Sequence, residues 1–165
     1  MPQHPIYVLS CPSGQGKLLL TPCPGSKNAD LETSLRDLKN AGASAVLTLM
    51  TQEEMHINNV GALASHCQTQ GFAWFHLPMD DECAPAQPFL DAWAQHREEI
   101  HRRLNNDETI ALHCKGGSGR TGIVAAQILM ERGAGKDKTI VDIKALRPNA
   151  FSHAVQIDYI QQFQV

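Results

Sequence analysis

Thr109-Ile110-Ala111-Leu112-His113-Cys114-Lys115-Gly116-Gly117-Ser118-Gly119-Arg120-Thr121-Gly122 joins a short β-branched and apolar run to a strong helical pattern that begins near Ile123. A strand, a tight glycine-rich turn and a helix N-terminus make a concave anion site, with backbone N–H groups pointing inward and the helix dipole adding partial positive charge. Cys114 enters the turn and Arg120 leaves it, with five residues between them. That spacing lets thiol and guanidinium face one bound oxyanion. The arginine fork grips two phosphate oxygens, and a thiol among such groups is held as a nucleophilic thiolate. The chemistry this predicts is phosphoryl transfer to cysteine. Taken singly, a cysteine ending a core strand is most often an inert small hydrophobe, and an arginine near a helix start is a solvated charge. Their joint occurrence with the glycines, strand and helix favours a site. Gly117 to Gly122 also fits a dinucleotide-binding G-x-G-x-x-G. That reading needs a carboxylate closing a second strand about twenty residues on, whereas Asp142 falls inside a helical pattern. A Walker loop is excluded because Gly-Lys-Ser/Thr is missing.

Outward from this stretch, the chain alternates strand and helix signals. Ile6–Leu9 and Lys17–Leu20 read as short strands around a Gly/Ser/Pro turn, and Pro22-Cys23-Pro24-Gly25 breaks structure. A helix follows from about Asp30, with Leu31, Leu35 and Leu38 on one face and Gly42 placed to end it. Ala45–Met50 is a continuous apolar run of strand length, as expected of a buried parallel strand. Thr51-Gln52-Glu53-Glu54 fits a capping box opening a short helix. A further helix is expected over Val60–Thr69, a strand over Phe72–Leu77, and a loop over Pro78–Gln87. Phe89, Trp93, Ile100 and Leu104 form the stripe of the next helix. After the glycine-rich turn come helices from Ile123 to about Arg132, around Thr139–Leu146, and a last one capped by Ser152 and ending near Phe163. Strands alternating with helices imply parallel strands covered on both faces. One α/β domain over residues 1–165 is expected, with an N-terminal hairpin and turn over 1–25 and a catalytic core over 26–165.

Composition narrows the function classes. At 165 residues, 42% hydrophobic and 19% charged, the chain is ordinary for a globular protein. A net charge of −3 gives no reason to expect nucleic acid, and no basic run or long apolar stretch suggests stable membrane association. Met1-Pro2-Gln3-His4-Pro5 lacks a leader pattern. Five cysteines without a C-x-x-C fit free thiols in a reducing compartment, so a cytoplasmic location is the default. No metal site and no cofactor is expected, since His113 beside Cys114 lacks further ligands and the proposed chemistry needs none.

A phosphate ester needs its leaving oxygen protonated, and a phosphocysteine then needs an activated water; one carboxylic acid serves both steps in turn. In parallel sheets ligands bind beyond the carboxyl ends of the strands. The turns after Leu77 and Leu112 therefore fall on one edge, and Asp80 and Asp81 come toward Cys114. Cys83, on the same loop, is a candidate thiol to trap an oxidised Cys114 as a disulfide.

His113-Cys114 through Arg120-Thr121 resembles, at every defining position, the His-Cys-x5-Arg-Thr/Ser loop of the protein tyrosine phosphatase superfamily. Pro78-Met79-Asp80-Asp81 with Pro85 is similar to the acid loop of small dual-specificity phosphatases. Cys23-Pro24-Gly25 and Leu146-Arg147-Pro148, with Gln156 and Phe163, extend the resemblance to the cyclin-dependent-kinase-associated phosphatase type and bacterial proteins like it. The resemblance implies the cysteine-phosphatase fold, a three-layer αβα sandwich around a mainly parallel sheet. It implies Cys114 as nucleophile supported by His113, Arg120 for phosphate, Asp81 as general acid and base with Asp80 as the alternative, and a Thr121 hydroxyl that stabilises the thiolate. Lys115, Gly116, Gly117, Ser118 and Gly119 would contact substrate; Gln156 matches a position near the site in relatives and serves packing equally well. Relatives acting on inositol phospholipids tend to carry two lysines in the loop, and this chain has Lys115 alone. The expected partner is a phosphorylated protein, carrying phosphotyrosine and also phosphoserine or phosphothreonine. A phosphoinositide, nucleotide or sugar phosphatase is the alternative enzyme. A phosphoprotein-binding module without turnover is the alternative class, against which Cys114, Arg120 and the acid-loop aspartates argue together. Rhodanese-like sulfur transfer has no use for His113, Thr121 and a separate acid loop.

Overall fold

The computed structural model describes residues 3–163; Met1, Pro2, Gln164 and Val165 lie outside the described residues. Five strands, β1 (Tyr7–Ser10), β2 (Lys17–Thr21), β3 (Ala43–Thr48), β4 (Ala73–His76) and β5 (Thr109–His113), form one sheet in the order β1-β2-β5-β3-β4. Only the β1–β2 pair is antiparallel; β2, β5, β3 and β4 run parallel. Seven helices join them: α1 (Leu31–Asn40), α2 (Gln52–Ile57), α3 (Leu63–Thr69), α4 (Gln87–Asn105), α5 (Gly119–Glu131), α6 (Lys136–Leu146) and α7 (Ala154–Gln162).

The strand period of two explains the three layers. Leu18, Leu20, Leu47, Phe75, Ile110 and Leu112 point to one face and pack with Phe89 of α4, Ile123 and Ile128 of α5, Ile143 of α6 and Ile160 of α7. The alternate residues Leu19, Val46 and Ala111 point to the other face and pack with Leu35 and Leu38 of α1, Met55 of α2 and Leu63 of α3. A strand buried on both faces must be apolar throughout, which is why these strands read as continuous rather than alternating runs. The sheet is thus the middle of an αβα sandwich. In α5, residues Arg120–Met130 are all buried; a helix enclosed on every side is the rigid element that carries the loop's C-terminal end.

The element types stand as expected, with differences at the ends. β3 starts earlier than the apolar run and stops at Thr48, and α3 starts at Leu63 rather than Val60. α5 begins at Gly119, four residues ahead of the apolar pattern. Two glycines there weaken the helical signal, while the covered loop requires the helix N-terminus to start at its edge. Ser152 does not cap α7, whose N-cap residue is His153 and makes no side-chain cap bond. Thr51 does cap α2 by accepting the Glu54 N–H, but only half of the capping box forms, because the Glu54 carboxylate goes elsewhere.

Beyond the sheet, backbone bonding continues. Leu49 N–H donates to His113 O (3.0 Å), Leu77 N–H to Thr48 O (2.9 Å) and Met79 N–H to Leu49 O (3.0 Å). The chain leaving β4 is therefore fastened beside the chain leaving β3 as far as Met79, and the chain leaving β3 is tied in turn to His113 at the end of β5. Asp80 and Asp81 emerge next to the glycine-rich loop, as the topology predicts.

Candidate active site

Every carbonyl of the loop from Cys114 to Gly117 is held by a donor from outside it. His113 Nδ1 bonds Cys114 O at 3.1 Å. Cys23 N–H, from the Pro22–Gly25 turn, donates to Lys115 O at 3.0 Å. Arg147, just past α6, donates from Nη2 to Gly116 O (2.8 Å) and from Nε to Gly117 O (3.0 Å). In a trans peptide the carbonyl and the next N–H point opposite ways. Four carbonyls drawn outward therefore turn the N–H groups of Lys115, Gly116, Gly117 and Ser118 inward, where they form the concave nest that an oxyanion needs. Gly117 N–H donates to Cys114 Sγ at 3.2 Å, which fixes the sense of this rotation. Ser118 is the N-cap residue of α5 and supplies no side-chain cap, so the first-turn N–H groups remain available.

Gly117 has no substitute. Its φ is +79°, and an added Cβ would lie 2.6 Å from Thr21 C and Pro22 N. The loop turns directly against the end of β2, and backbone cannot give way there.

Cys114 sits at the floor of a cavity of about 540 Å³ whose walls include Lys27, Asp81, Lys115, Arg147, His153 and Gln156. Its Sγ accepts from Thr121 Oγ1 at 3.1 Å as well as from Gly117 N–H, so two donors meet on one sulfur. His113 is fully buried, and burial lowers its pKa to about 4, so the ring is neutral. A neutral ring with Nδ1 facing a carbonyl must carry its proton there. Nε2 is then an acceptor, and Thr48 Oγ1 donates to it at 2.7 Å. Thr48 Oγ1 in turn accepts from Trp74 Nε1–H at 2.8 Å. The chain of donors runs one way, from Trp74 through Thr48 and His113 to the Cys114 carbonyl.

Arg120 is 1% exposed. Three of its five N–H groups are spent on protein acceptors. Nη1 and Nη2 donate to the two oxygens of Glu54 at 2.6 and 2.8 Å, and Nη1 also donates to Met79 O at 2.9 Å. A buried guanidinium needs a carboxylate partner, and Glu54 on α2 fills that requirement. Burial opposes the Arg120 charge, yet the Glu54 bonds keep its pKa above the ordinary arginine value. Nε is buried with no protein partner among the described residues, and Nη2 makes one hydrogen bond only; Nε–H and the second Nη2 N–H lie side by side as the fork left for a bound anion.

Asp81 Oδ1 lies 3.5 Å from Arg120 Nη2, and its side chain is 59% exposed and lines the cavity. Asp80 is exposed and does not line it. Gln156 is 0% exposed, packs over Gly119, and its amide has no bonding partner among the described residues. Lys115 and Ser118 line the cavity beside it. Cys83 is exposed and is not among the lining residues. Cys23 is the buried thiol nearest in effect to the loop, its pKa pushed up to about 12 by burial and next by the charge of Cys114. Sequence reasoning missed Glu54, because a capping box already explained it. It also gave Arg147 no role, although Leu146-Arg147-Pro148 stood out.

A family model for the "Polymorphic toxin system, DSP-PTPase phosphatase" (Tc-R-P) matches residues 23–134. The fold and this loop define a dual-specificity-type cysteine phosphatase domain, and the chain belongs to that DSP-PTPase family. Among curated proteins it is 29% identical over 111 residues to rat "Cyclin-dependent kinase inhibitor 3", covering 65% of this chain and 51% of the relative. It is 25% identical over 150 residues to mouse "Protein tyrosine phosphatase type IVA 3", covering 90% of this chain and 79% of the relative. The chain thus spans about half the length of the rat relative. Among solved structures, kinase associated phosphatase, in a form with its catalytic-site cysteine changed to serine, superposes with a TM-score of 0.84 at 25% identity, covering 97% of this chain and 93% of that one.

Proposed function

We propose that this chain hydrolyses phosphate monoesters through a phosphocysteine intermediate, with phosphotyrosine in proteins as the leading substrate and phosphoserine or phosphothreonine also accepted. The observation that carries the reading is the nest of inward N–H groups with Cys114 Sγ at its floor and Asp81 at its rim. Cys114 attacks phosphorus in line with the ester oxygen, while Asp81 gives that oxygen a proton as the bond breaks. The loop N–H groups and the Nε and Nη2 donors of Arg120 meet the equatorial oxygens, where charge accumulates. Asp81, now a carboxylate, takes a proton from water as it attacks the phosphocysteine. Sulfur departs into the two bonds from Thr121 and Gly117.

Glu54 and Met79 O fix the Arg120 fork, and His113, Cys23 and Arg147 fix the loop. Preorganised donors of this kind cost no reorganisation during reaction. The names of the relatives, a cyclin-dependent kinase inhibitor and a protein tyrosine phosphatase, support a phosphorylated protein as substrate. The rim cations Lys27 and Lys115 suit an anionic peptide. No described helix is long and apolar enough to cross a membrane, and five unbridged thiols suit a reducing, cytoplasmic compartment. The test is turnover of para-nitrophenyl phosphate, followed by phosphopeptide, phosphoinositide and nucleotide panels. The reading requires phosphopeptides to give the highest kcat/KM, and a higher value for any other arm contradicts it.

A further inference from the structure

A second cavity, of about 610 Å³, shares no lining residue with the first. Its walls come from Gln52, Glu53, Met55 and His56 of α2, Gly61 and Ala64 at and before α3, and Trp74 and His76 of β4. β4 is an edge strand, and Trp74 and His76, two residues apart, present one of its faces to the cavity. The size is that of an ordinary small-molecule site.

Its chemistry is the reverse of the catalytic cavity's. The Trp74 and His76 rings stack at 5.3 Å with 22° between their planes. The ring N–H groups that bond are spent inside the protein, Trp74 Nε1 on Thr48 Oγ1 and His76 Nε2 on Met50 O. What these two rings leave for the cavity is π surface and an acceptor, His76 Nδ1, beside the exposed His56 ring and Gln52 amide. No lysine or arginine lines it, and Glu53 contributes an exposed carboxylate. A slot of π faces with a carboxylate and no fixed cation disfavours phosphate and attracts a planar aromatic cation.

Both walls reach the phosphate site. Glu53 lines the cavity, while its neighbour Glu54, on the same short helix, holds Arg120 in the bidentate pair. Trp74 starts the one-way chain through Thr48 and His113 to the Cys114 carbonyl. We propose that this cavity binds a planar aromatic cation, and that its occupancy is felt by the Cys114 loop and by Arg120. Binding here is independent of the phosphatase reading, whereas transmission rests on it.

The probe is benzamidine, a flat ring bearing a forked cation, at about pH 8, above the ordinary histidine range. The chain has two tryptophans, so Trp93→Phe leaves Trp74 as the only indole reporter. Benzamidine should change Trp74 emission saturably, benzoate should not, and Glu53→Gln should weaken benzamidine about tenfold by removing a charge-assisted bond. Saturable benzoate binding, or benzamidine binding that Glu53→Gln leaves unchanged, overturns the site. For transmission, saturating benzamidine should alter the affinity for inorganic phosphate by at least about fivefold, and linkage requires phosphate to alter benzamidine affinity by the same factor. Equal phosphate affinity with and without benzamidine overturns transmission. Phosphate binding by the loop is measured first without benzamidine, so a loop that binds none counts against the phosphatase reading and not against this cavity.

Discussion

Arg147→Ala removes two side-chain donors from consecutive loop carbonyls, Gly116 O at 2.8 Å and Gly117 O at 3.0 Å. Hydrogen bonds to a charged group contribute about 1.5–3 kcal/mol each. Arg147 is half-buried, so solvent screening places the pair at the low end, about 3 kcal/mol together. The peptides it holds are those that aim the Gly117 and Ser118 N–H groups inward, so the loss falls on anion binding. At a tenfold change per 1.4 kcal/mol, kcat/KM and phosphate affinity should fall by roughly 10²-fold. Lysine offers a point charge rather than a fork, and should recover no more than one bond, about tenfold. Arg147 also stacks over the Tyr7 ring at 4.3 Å. Tyr7→Phe should therefore be neutral, and Tyr7→Ala should cost about 1 kcal/mol of loop order, near fivefold in kcat/KM. The assay is steady-state hydrolysis of para-nitrophenyl phosphate with inorganic phosphate as competitive inhibitor, and thermal melting as a control for folding. A folded Arg147→Ala with unchanged phosphate inhibition refutes the carbonyl-orienting argument.

Asp81→Asn should lower turnover of phosphopeptides by about 10²–10⁴-fold and of activated aryl phosphates less, while Asp80→Asn stays near the parent; the reverse pattern moves the acid by one residue. Gly117→Ala places a Cβ 2.6 Å from the backbone of Thr21 and Pro22 at a φ of +79°, and phosphate binding should be lost even where a melting transition survives. Glu131 accepts from Trp93, Arg97 and His101. Burial opposes its charge, but these bonds hold its pKa down to about 2, against 4.5 ordinarily. The unfolded chain therefore binds the extra proton between those values, so this contribution is full above about pH 4.5 and is lost as pH falls toward 2. Denaturant unfolding across that range should show a shallower pH dependence in Glu131→Gln, and an identical slope sinks the assignment.

The glycine-rich loop was legible because all its signals are local: an apolar run, glycines, and a helix period within one window. The sheet was legible for the same reason, since strands buried on both faces must be apolar throughout. The partners that orient the loop were not. Glu54 is 66 residues from Arg120, and Arg147 lies 31 residues from Gly116; a single sequence carries no trace of pairs so distant. Thr51 to Glu54 also has a complete local explanation in the capping box, which hid the longer one. Periodicity missed the start of α5 because Gly119 and Gly122 disfavour helix locally, while the loop requires one there. Asp80 and Asp81 are alike in composition and differ only in which one the backbone turns toward Arg120. The resemblance separated them, and spacing did not.

The central claim is a covalent bond between phosphorus and Cys114, and the most direct test looks for that bond. Asp81→Asn slows both formation of the intermediate and its hydrolysis, while an activated aryl phosphate restores formation because its leaving oxygen scarcely needs a proton. Rapid acid quench of that mixture, followed by peptide mapping by mass spectrometry, should find phosphate on the peptide containing Cys114. The parallel Cys114→Ser protein should neither turn over substrate nor carry label, while still binding inorganic phosphate through the loop N–H groups and Arg120. Label on any other residue, or undiminished turnover by Cys114→Ser, contradicts the account.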